Sequence, residues 1–383
     1  MKIAIVGCGY VADYYMLTLA NHPELELVGA YDRDPAAAKR FGDYFKVSMF
    51  ESFEALLQAP GLELVLNLTT PESHYAISRA SLEAGHHVYS EKPLAMSFED
   101  AEVLVELSKA KGLMLGAAPC SYLGEAAESL NAEIRSGRIG EPRLVYAEME
   151  DAMVFRDNYE SWKSPSGAPW PGPHEFEIGA TLEHAGYYLT WLCAFFGPVR
   201  ELTAFAALCF DDKGTGQLAE NLANDFSVAC MRFDNGVTAR LTCGLAAPKD
   251  RSIHVIGTEG MLALSDGWNY RSSIYRRDVL GRWLSRPAAL GKVVRRLEPF
   301  MPGRQWFGTR VKTRRSADKL PATNSKMDFS RGPAAIAEAA GKGRTLDFGA
   351  DFALHVTELA LIIQNADKHP MPYRPKSSFA LPA

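Results

Sequence analysis

The stretch from Ile3 to Ala12, IAIVGCGYVA, joins a short apolar run directly to a Gly-x-Gly-x-x-Ala pattern. The apolar run predicts a buried strand, and the glycines let the chain turn closely into a helix whose first amides can hold a pyrophosphate. An isolated pattern of this kind is also compatible with an ordinary tight turn between a strand and a helix. If the turn binds a dinucleotide, the contact residues are Gly7, Gly9, Tyr10, Val11 and Ala12.

A carboxylate at the end of the next predicted strand strengthens this interpretation. Asp32 lies 20 residues beyond Ala12, where an acidic side chain accepts hydrogen bonds from the adenosine ribose of a dinucleotide. The same negative charge repels a 2′-phosphate, which favours NAD as the cofactor. Arg33 can instead bind that phosphate or stack on adenine, so NADP stays open.

The first 120 residues alternate short apolar runs with helical patterns. The strand candidates are Ile3–Val6, Leu25–Tyr31, Leu64–Leu68, His87–Tyr89 and Leu113–Ala117. Helix candidates lie near residues 10–21, 35–45, 52–58, 72–84 and 97–110. This alternation predicts an α/β domain over residues 1–120, a Rossmann domain with a doubly wound parallel sheet covered by helices on both faces.

Beyond residue 120 strand patterns dominate. The candidates are Val199–Phe210, Asp225–Phe233, Val237–Leu245, Ile253–Ile256 and Met261–Leu264. Helices are predicted over residues 179–196 and 351–367. Residues 121–383 are therefore expected to form an α+β domain with a mainly antiparallel open sheet, which binds the substrate and carries the subunit contacts.

Composition and charge narrow the class of protein. A chain of 383 residues favours two domains. Its net charge of −5 argues against a nucleic-acid-binding protein, because it provides no excess of positive charge for the phosphate backbone. The six cysteines show no metal-binding or redox spacing, so we expect no metal and a reducing, cytoplasmic location. The N-terminal apolar run is too short for a signal peptide, and no apolar stretch is long enough to span a membrane.

One basic insertion departs from this average. Residues 268–319 contain 14 lysines and arginines against three acidic residues, a local charge of +11. Within it, Pro287–Leu297 has an apolar helical face that can lie on an anionic membrane. Alternatively, its arginines can meet the diphosphate of a nucleotide-sugar substrate. We favour a third interpretation, a solvated insertion that packs its apolar edge on the domain.

Two further motifs follow the third and fourth strand candidates. They are Thr69-Thr70-Pro71-Glu72-Ser73-His74 and Glu91-Lys92-Pro93, and both lie at carboxyl ends of strands, where open α/β sheets bind ligands. With the glycine pattern and Asp32, in this order and spacing, they resemble the Gfo/Idh/MocA oxidoreductases, which act mostly on sugars, inositols and their derivatives. The segment Ser136–Pro142 is similar to the start of that family's second domain.

The resemblance implies roles for these residues. Cofactor contacts are implied at Thr69, Thr70, Pro71, His74, Glu91, Lys92 and Pro93. Lys92 is implied to be the active-site lysine, which donates a hydrogen bond to the reacting oxygen while hydride moves to or from the nicotinamide. The alternative for Lys92 is a surface lysine with a solvated head. Subunit pairing through the open sheet implies a homodimer or homotetramer.

The family's third motif, usually Gly-Gly-x-x-x-Asp-x-Gly-x-His, is altered in this chain. Its best match, Gly179–Tyr188, places His184 at the usual Asp and Tyr188 at the usual His. Since these residues are four apart, they share one face of an α-helix. We expect His184 to take the hydroxyl proton with a pKa near the ordinary value of about 6.5, and Tyr188 to relay it or orient the substrate. Glu183 lies off that face and is a poorer candidate, and buried packing is the alternative for His184.

A Pro/Gly-rich loop precedes this helix and brings further candidates. Trp162 and His174 flank the loop Ser164–Pro173, and aromatic faces suit the apolar faces of pyranose rings. We therefore expect substrate contacts from Trp162 and His174, alongside Lys92, His184 and Tyr188. Aromatic packing is the alternative.

These patterns predict an NAD(P)-dependent dehydrogenase or reductase for a secondary alcohol or ketone of a sugar, polyol or sugar derivative. The small-molecule substrate is expected to be a carbohydrate, and the direction of the reaction stays open. Two alternatives are an NAD-dependent glycosidase whose cofactor is reduced and reoxidised in each cycle, and a non-catalytic sugar sensor that binds NAD.

Overall fold

The computed structural model describes residues 1–280, 308–322 and 326–382. Its first sheet has five parallel strands in the order β2-β1-β3-β4-β5. The strands are β1 Lys2–Val6, β2 Glu26–Tyr31, β3 Leu64–Asn67, β4 His87–Ser90 and β5 Leu115–Ala117. The helices between and after them are α1 Tyr10–Leu19, α2 Pro35–Phe45, α3 Phe53–Leu57, α4 His74–Glu83 and α5 Phe98–Lys111.

This sheet confirms the predicted Rossmann topology. Strands β1 and β3 are buried along almost their whole length, because helices cover both faces of the sheet. β1 pairs with β2 on one side and with β3 on the other, so the order of the strands along the chain reverses direction at β1. In open α/β sheets such a reversal opens a crevice at the carboxyl ends of the strands, where ligands bind.

The second sheet has eight strands in the order β13-β12-β11-β10-β6-β9-β8-β7. They are β6 Pro142–Glu150, β7 Val199–Ala207, β8 Phe226–Phe233, β9 Thr238–Gly244, β10 Ile253–Gly257, β11 Gly260–Leu264, β12 Ile274–Asp278 and β13 Thr309–Arg310. Only the β6–β9 pairing is parallel among these strands, so the predicted α+β class with a mainly antiparallel sheet is confirmed. The remaining helices are α6 Glu125–Arg135, α7 Gly172–Ile178, α8 Gly186–Phe196, α9 Arg331–Gly341 and α10 Ala350–Gln364.

The two faces of the second sheet differ. One face packs against α8 and α10, whose buried Trp191 and Leu359 share a core with Val145 of β6. The opposite face exposes large side chains, including Tyr146 at 39% and Phe205 at 60% of their surface. Such a face is suited to covering by a partner.

Helix α9 was not predicted, and its position links the two ends of the chain. Ile336 is fully buried in the core that Ile5 and Phe41 form around the first sheet. Ser330, just before the helix, donates from its hydroxyl to the carbonyl oxygen of Tyr15 over 2.9 Å. A segment more than 200 residues beyond residue 120 therefore completes the core of the first domain.

The predicted helix over 179–196 is not one uniform helix. It begins with a π-helical turn, Thr181–Ala185, and continues as α8. A π turn bonds each residue to the fifth residue along instead of the fourth, so it changes which side chains share a face. This change decides which residues reach the site described below.

The basic insertion is described only in part. Pro287–Leu297, with its predicted amphipathic face, lies outside the described residues. Arg276 contacts Glu133 over 3.4 Å and Arg314 contacts Glu128 over 3.2 Å. Within the described parts of the chain, no helix is long and apolar enough to cross a membrane.

Candidate active site

The turn after β1 has the shape that a dinucleotide requires. Gly7 has φ +95°, and a Cβ there would lie 2.5 Å from the carbonyl oxygen of Leu68. Gly9 caps α1, and a Cβ there would meet no protein atom within 4 Å. Gly7 is thus needed for packing inside the protein, whereas Gly9 keeps open a space beside the helix N-terminus. This space fits a pyrophosphate held by Gly9, Tyr10, Val11 and Ala12.

Asp32 is tied to the same turn. Its carboxylate accepts hydrogen bonds from the amides of Cys8 over 2.7 Å and Asp34 over 2.8 Å. Arg33 beside it is exposed. The carboxylate is therefore fixed next to the glycine turn, as recognition of an adenosine ribose requires.

The turns after β3 and β4 are joined by His74. Its Nδ1 lies 2.6 Å from the carbonyl oxygen of Pro93, and its Nε2 lies 3.1 Å from that of Thr69. The ring is fully buried, and burial lowers the pKa of His74 despite both carbonyl contacts. The expected cofactor contact of His74 is therefore wrong: the ring braces the turns that carry Thr69, Thr70, Pro71 and Pro93.

Lys92 lies where the two domains meet. Its ammonium forms an ion pair with the carboxylate of Glu183, which is 91 residues away in sequence. Only 19% of the Lys92 side chain and 8% of the Glu183 side chain are exposed. Burial alone would lower the pKa of Lys92, but Glu183 raises it above its ordinary value. Lys92 is therefore a fixed cation at neutral pH.

The residue preceding Lys92 anchors this turn to the glycine-bearing helix. The hydroxyl of Tyr15 in α1 donates to Glu91 over 2.8 Å. The amide of Lys92 also donates to Glu91, over 3.2 Å. Glu91 thus holds the backbone of Lys92 in place and lies beside a small cavity that Tyr187 also lines.

Glu183 was set aside on the sequence, and this was wrong. The π turn brings Glu183 to Lys92, and Tyr187 follows four residues later on the side of the cavity. Tyr188 points the other way: it is fully buried, and its hydroxyl donates to the carbonyl oxygen of Arg251. The predicted substrate role of Tyr188 is therefore replaced by a structural one.

His184 does lie in the site, but in a different protonation state from the one expected. Its Nε2 is 3.9 Å from Asp151 and 4.0 Å from Glu175, and its ring meets Trp268 edge to face at 5.2 Å. Its buried Nδ1 has no hydrogen-bond partner among the described residues. Burial lowers the pKa of His184 to about 4, so the expectation of a value near 6.5 is wrong.

Two more acidic residues and an arginine complete the site. Arg251 forms an ion pair with Asp151. Burial, and then the nearby carboxylate of Glu183, raise the pKa of Glu175 well above its ordinary value. Both causes favour the protonated form of the Glu175 carboxyl. Neither Arg251 nor Asp151 belongs to a motif, so sequence patterns gave no signal for them.

The two predicted substrate contacts from the loop have other partners. Trp162 packs on Trp170, with ring centroids 5.1 Å apart, in an aromatic cluster. His174 lies 2.7 Å from Glu72, just after the Thr-Thr-Pro turn. Ser166 of the same loop donates from its amide to Asp13 of α1 over 2.6 Å. The loop and His174 thus contact α1 and the turn after β3 of the first domain, and substrate contacts from Trp162 and His174 stay predictions.

Comparisons with known proteins agree with this architecture. A family model described as "Oxidoreductase family, NAD-binding Rossmann fold" matches residues 1–118, and the "GFO/IDH/MocA C-terminal domain" matches residues 128–263. D-apiose dehydrogenase of Paraburkholderia graminis is 25% identical over 72% of this chain and 70% of its own length. Trans-1,2-dihydrobenzene-1,2-diol dehydrogenase of Bos taurus is 23% identical over 70% of this chain and 74% of its own length.

A solved structure shows the same fold over nearly the whole chain. An oxidoreductase from Agrobacterium radiobacter, crystallised with NAD⁺, L-tartaric acid and magnesium, superposes with a TM-score of 0.72. It is 18% identical and covers 96% of this chain and 96% of its own. The fold similarity therefore extends through both sheets.

Proposed function

We propose that this chain, which belongs to the Gfo/Idh/MocA oxidoreductase family, oxidises a secondary alcohol of a carbohydrate or carbohydrate derivative. Its Rossmann domain binds a nicotinamide dinucleotide, and Asp32 favours NAD over NADP because it repels a 2′-phosphate. When bound, the nicotinamide supplies the carbon that accepts a hydride. The observation that carries the proposal is the buried ion pair of Lys92 and Glu183 at the junction of the two domains.

Lys92 stabilises the reacting oxygen. Its ammonium stays protonated, so it donates a hydrogen bond to the substrate hydroxyl and stabilises the alkoxide that forms as the proton leaves. Glu183 holds the ammonium in place and keeps it charged. The reverse reaction, reduction of a ketone, uses the same contact.

His184 takes the hydroxyl proton. Its lowered pKa keeps the ring neutral at pH 7. Its Nδ1, which has no hydrogen-bond partner among the described residues, accepts the proton. Asp151, 3.9 Å from Nε2, stabilises the imidazolium that results. Tyr187, on the cavity side of the helix, orients the substrate in place of Tyr188.

Replacement of Lys92 by methionine tests this proposal. Lys92→Met should lower the rate of NADH formation about 100- to 1,000-fold, because a preorganised donor to the oxyanion is removed. NAD affinity, measured by calorimetry, should change little. Lys39→Met serves as the control, since Lys39 is 77% exposed and pairs only with Asp43 in the same helix. Unchanged turnover in Lys92→Met across a panel of sugars, polyols and glycosides would remove Lys92 from the reaction.

A redox-neutral glycosidase is the second candidate, and Glu175 favours it. A carboxyl beside Lys92 and Glu183 whose protonated form is favoured by burial is suited to protonate a leaving glycosidic oxygen. The two reactions differ in what accumulates. A dehydrogenase forms NADH in step with product, whereas the glycosidase releases sugar without net NADH. A non-catalytic sensor would bind NAD and sugar with neither outcome.

Assembly and location stay predictions. The exposed face of the second sheet, with Tyr146 and Phe205, supports a homodimer or homotetramer. Light scattering at micromolar concentration should give at least twice the mass of the chain, 42.1 kDa. A monomeric mass would contradict this. The expected cytoplasmic location rests on the cysteine pattern alone.

A further inference from the structure

Arg251 is a buried cation in the wall of the site, and the proposed reaction does not use it. Only 5% of its surface is exposed, its guanidinium lies 3.4 Å from the ring centre of Trp268, and one of its nitrogens pairs with Asp151. Its backbone is also fixed. Its carbonyl oxygen accepts from the hydroxyl of Tyr188 and, over 3.0 Å, from the amide of Gly267.

This arginine and its neighbour hold donors that are left without acceptors. Nε and Nη1 of Arg251 and Nε1 of Trp268 are buried and have no hydrogen-bond partner among the described residues. A buried donor without an acceptor destabilises the folded protein, and the effect is larger when the donor is charged. In native proteins such groups are usually satisfied by protein atoms, ordered water, an ion or a ligand.

These donors border the reaction centre. The Trp268 ring contacts His184 at 5.2 Å and Tyr187 at 4.8 Å between centroids. Asp151 joins the two sides, because it pairs with Arg251 and lies 3.9 Å from the ring of His184. A group bound by Arg251 and Trp268 would therefore belong to the same molecule whose hydroxyl meets Lys92.

The chemistry of the donors indicates which group they bind. Arginine and the tryptophan indole donate and never accept, so the ligand atoms beside them must be acceptors. A planar guanidinium matches a carboxylate, and its charge shortens and strengthens such bonds. A neutral hydroxyl satisfies these donors less completely, because it brings a hydrogen that needs an acceptor of its own.

We propose that Arg251 and Trp268 form a carboxylate-binding subsite, so that the preferred substrate is an acidic carbohydrate such as a uronate or an aldonate. The proposal rests on the dehydrogenase function for its reaction, but the subsite is measurable by binding alone. Phosphate is the other acceptor-only group that sugars carry, and the experiment separates the two.

Binding to the enzyme saturated with NAD is measured by calorimetry for three matched pairs. They are D-glucuronate with D-glucose, D-gluconate with D-glucitol, and D-glucose 6-phosphate with D-glucose. At least one carboxylate should bind 10-fold or more tightly than its neutral partner, the effect of about one hydrogen bond to a charged group. Equal affinity in both carboxylate pairs, or a larger gain from phosphate than from carboxylate, would overturn the proposal.

Two variants locate the preference. Trp268→Phe keeps an aromatic ring and removes one donor, and Arg251→Lys keeps the charge beside Asp151 and removes the planar fork. Each should reduce the preference for the acid about 10-fold while leaving NAD affinity unchanged. Arg79→Lys is the matched control for Arg251→Lys, since it makes the same change at an exposed arginine that pairs with Glu83 of the same helix. A full acid preference in Trp268→Phe would overturn the subsite even if Arg251→Lys failed to fold.

The subsite and the reaction can fail separately. Lys92→Met should lose turnover and keep the acid preference. If wild-type enzyme binds acids selectively but forms no NADH from any of them, the carboxylate subsite stands and the dehydrogenase function falls. If Arg251→Lys oxidises acids as well as wild type does, the subsite falls and the dehydrogenase function stands.

Discussion

At the scale of single residues, burial sets the protonation state of His184. The residue is buried, with 7% of its surface exposed, and its pKa is about 4, against an ordinary value of 6.5. The base is therefore in its active, neutral form at any pH well above 4. We expect kcat/KM for alcohol oxidation to stay level from pH 8 down to about 5 as far as His184 is concerned, and to fall only toward pH 4.

The same shift in pKa makes the free energy of unfolding depend on pH. Between pH 6.5 and 4 the imidazole of His184 is protonated in the unfolded chain but neutral in the folded one. Its contribution to the free energy of unfolding is therefore full above pH 6.5 and is lost as the pH falls toward 4. His184→Asn should remove both the fall in kcat/KM toward pH 4 and the contribution of His184 to the pH dependence of the free energy of unfolding. An activity limb near 6.5 in the wild type, absent in His184→Asn, would contradict the lowered pKa.

Two adjacent tyrosines give a matched pair of variants. Tyr187→Phe should lower kcat/KM about 10-fold, the effect of one lost hydrogen bond to substrate, without changing NAD affinity. Tyr188→Phe should leave kcat/KM close to wild type, because its buried hydroxyl bonds to the backbone at Arg251 and Gly267. It should lower the free energy of unfolding by about 1–3 kcal/mol, measured by denaturant titration. The opposite assignment of effects would restore Tyr188 to the site.

At the scale of elements, the two glycines of the β1–α1 turn have separable roles. Gly7→Ala should destabilise the fold by at least about 2 kcal/mol, because φ +95° disfavours a side chain and the Cβ would press on Leu68. Gly9→Ala should change stability by less than about 0.5 kcal/mol. It should nevertheless weaken NAD binding about 10-fold, or 1.4 kcal/mol, since its Cβ projects into the space for the pyrophosphate.

Thermal unfolding and calorimetric titration with NAD check this pair. Each variant is the control for the other, because both add a single methyl group to the same turn. Normal NAD affinity in a folded Gly9→Ala protein would show that the open space beside α1 is not where the pyrophosphate binds.

At the scale of the whole molecule, helix α9 ties the C-terminal part of the chain to the first sheet. Ile336→Ala should cost about 2–5 kcal/mol, because it leaves a cavity in the core shared with Ile5 and Phe41. Val103→Ala in α5 is the control, since Val103 is 45% exposed and should cost less than about 0.5 kcal/mol. Denaturant unfolding that fails to distinguish the two variants would show that α9 does not stabilise the first domain.

The sequence alone was sufficient for the Rossmann sheet and its cofactor turn. Buried parallel strands have continuous apolar sequences. The glycines, Asp32 and the turn at Lys92 lie at fixed offsets from these apolar runs. Such patterns are local, so they can be recognised without knowledge of the tertiary packing. They also placed Lys92 at the carboxyl end of a strand, and the resemblance to the family implied its role in the reaction.

The tertiary structure decided what surrounds Lys92. A single π turn, which sequence periodicity does not reveal, brought Glu183 to Lys92 and placed Tyr187 instead of Tyr188 on the side of the site. Contacts between distant segments added the rest: Glu183 is 91 residues from Lys92, and Asp151 is 100 from Arg251. Burial, a property of the folded molecule alone, then set the charge of His184 and left the donors of Arg251 and Trp268 without partners among the described residues.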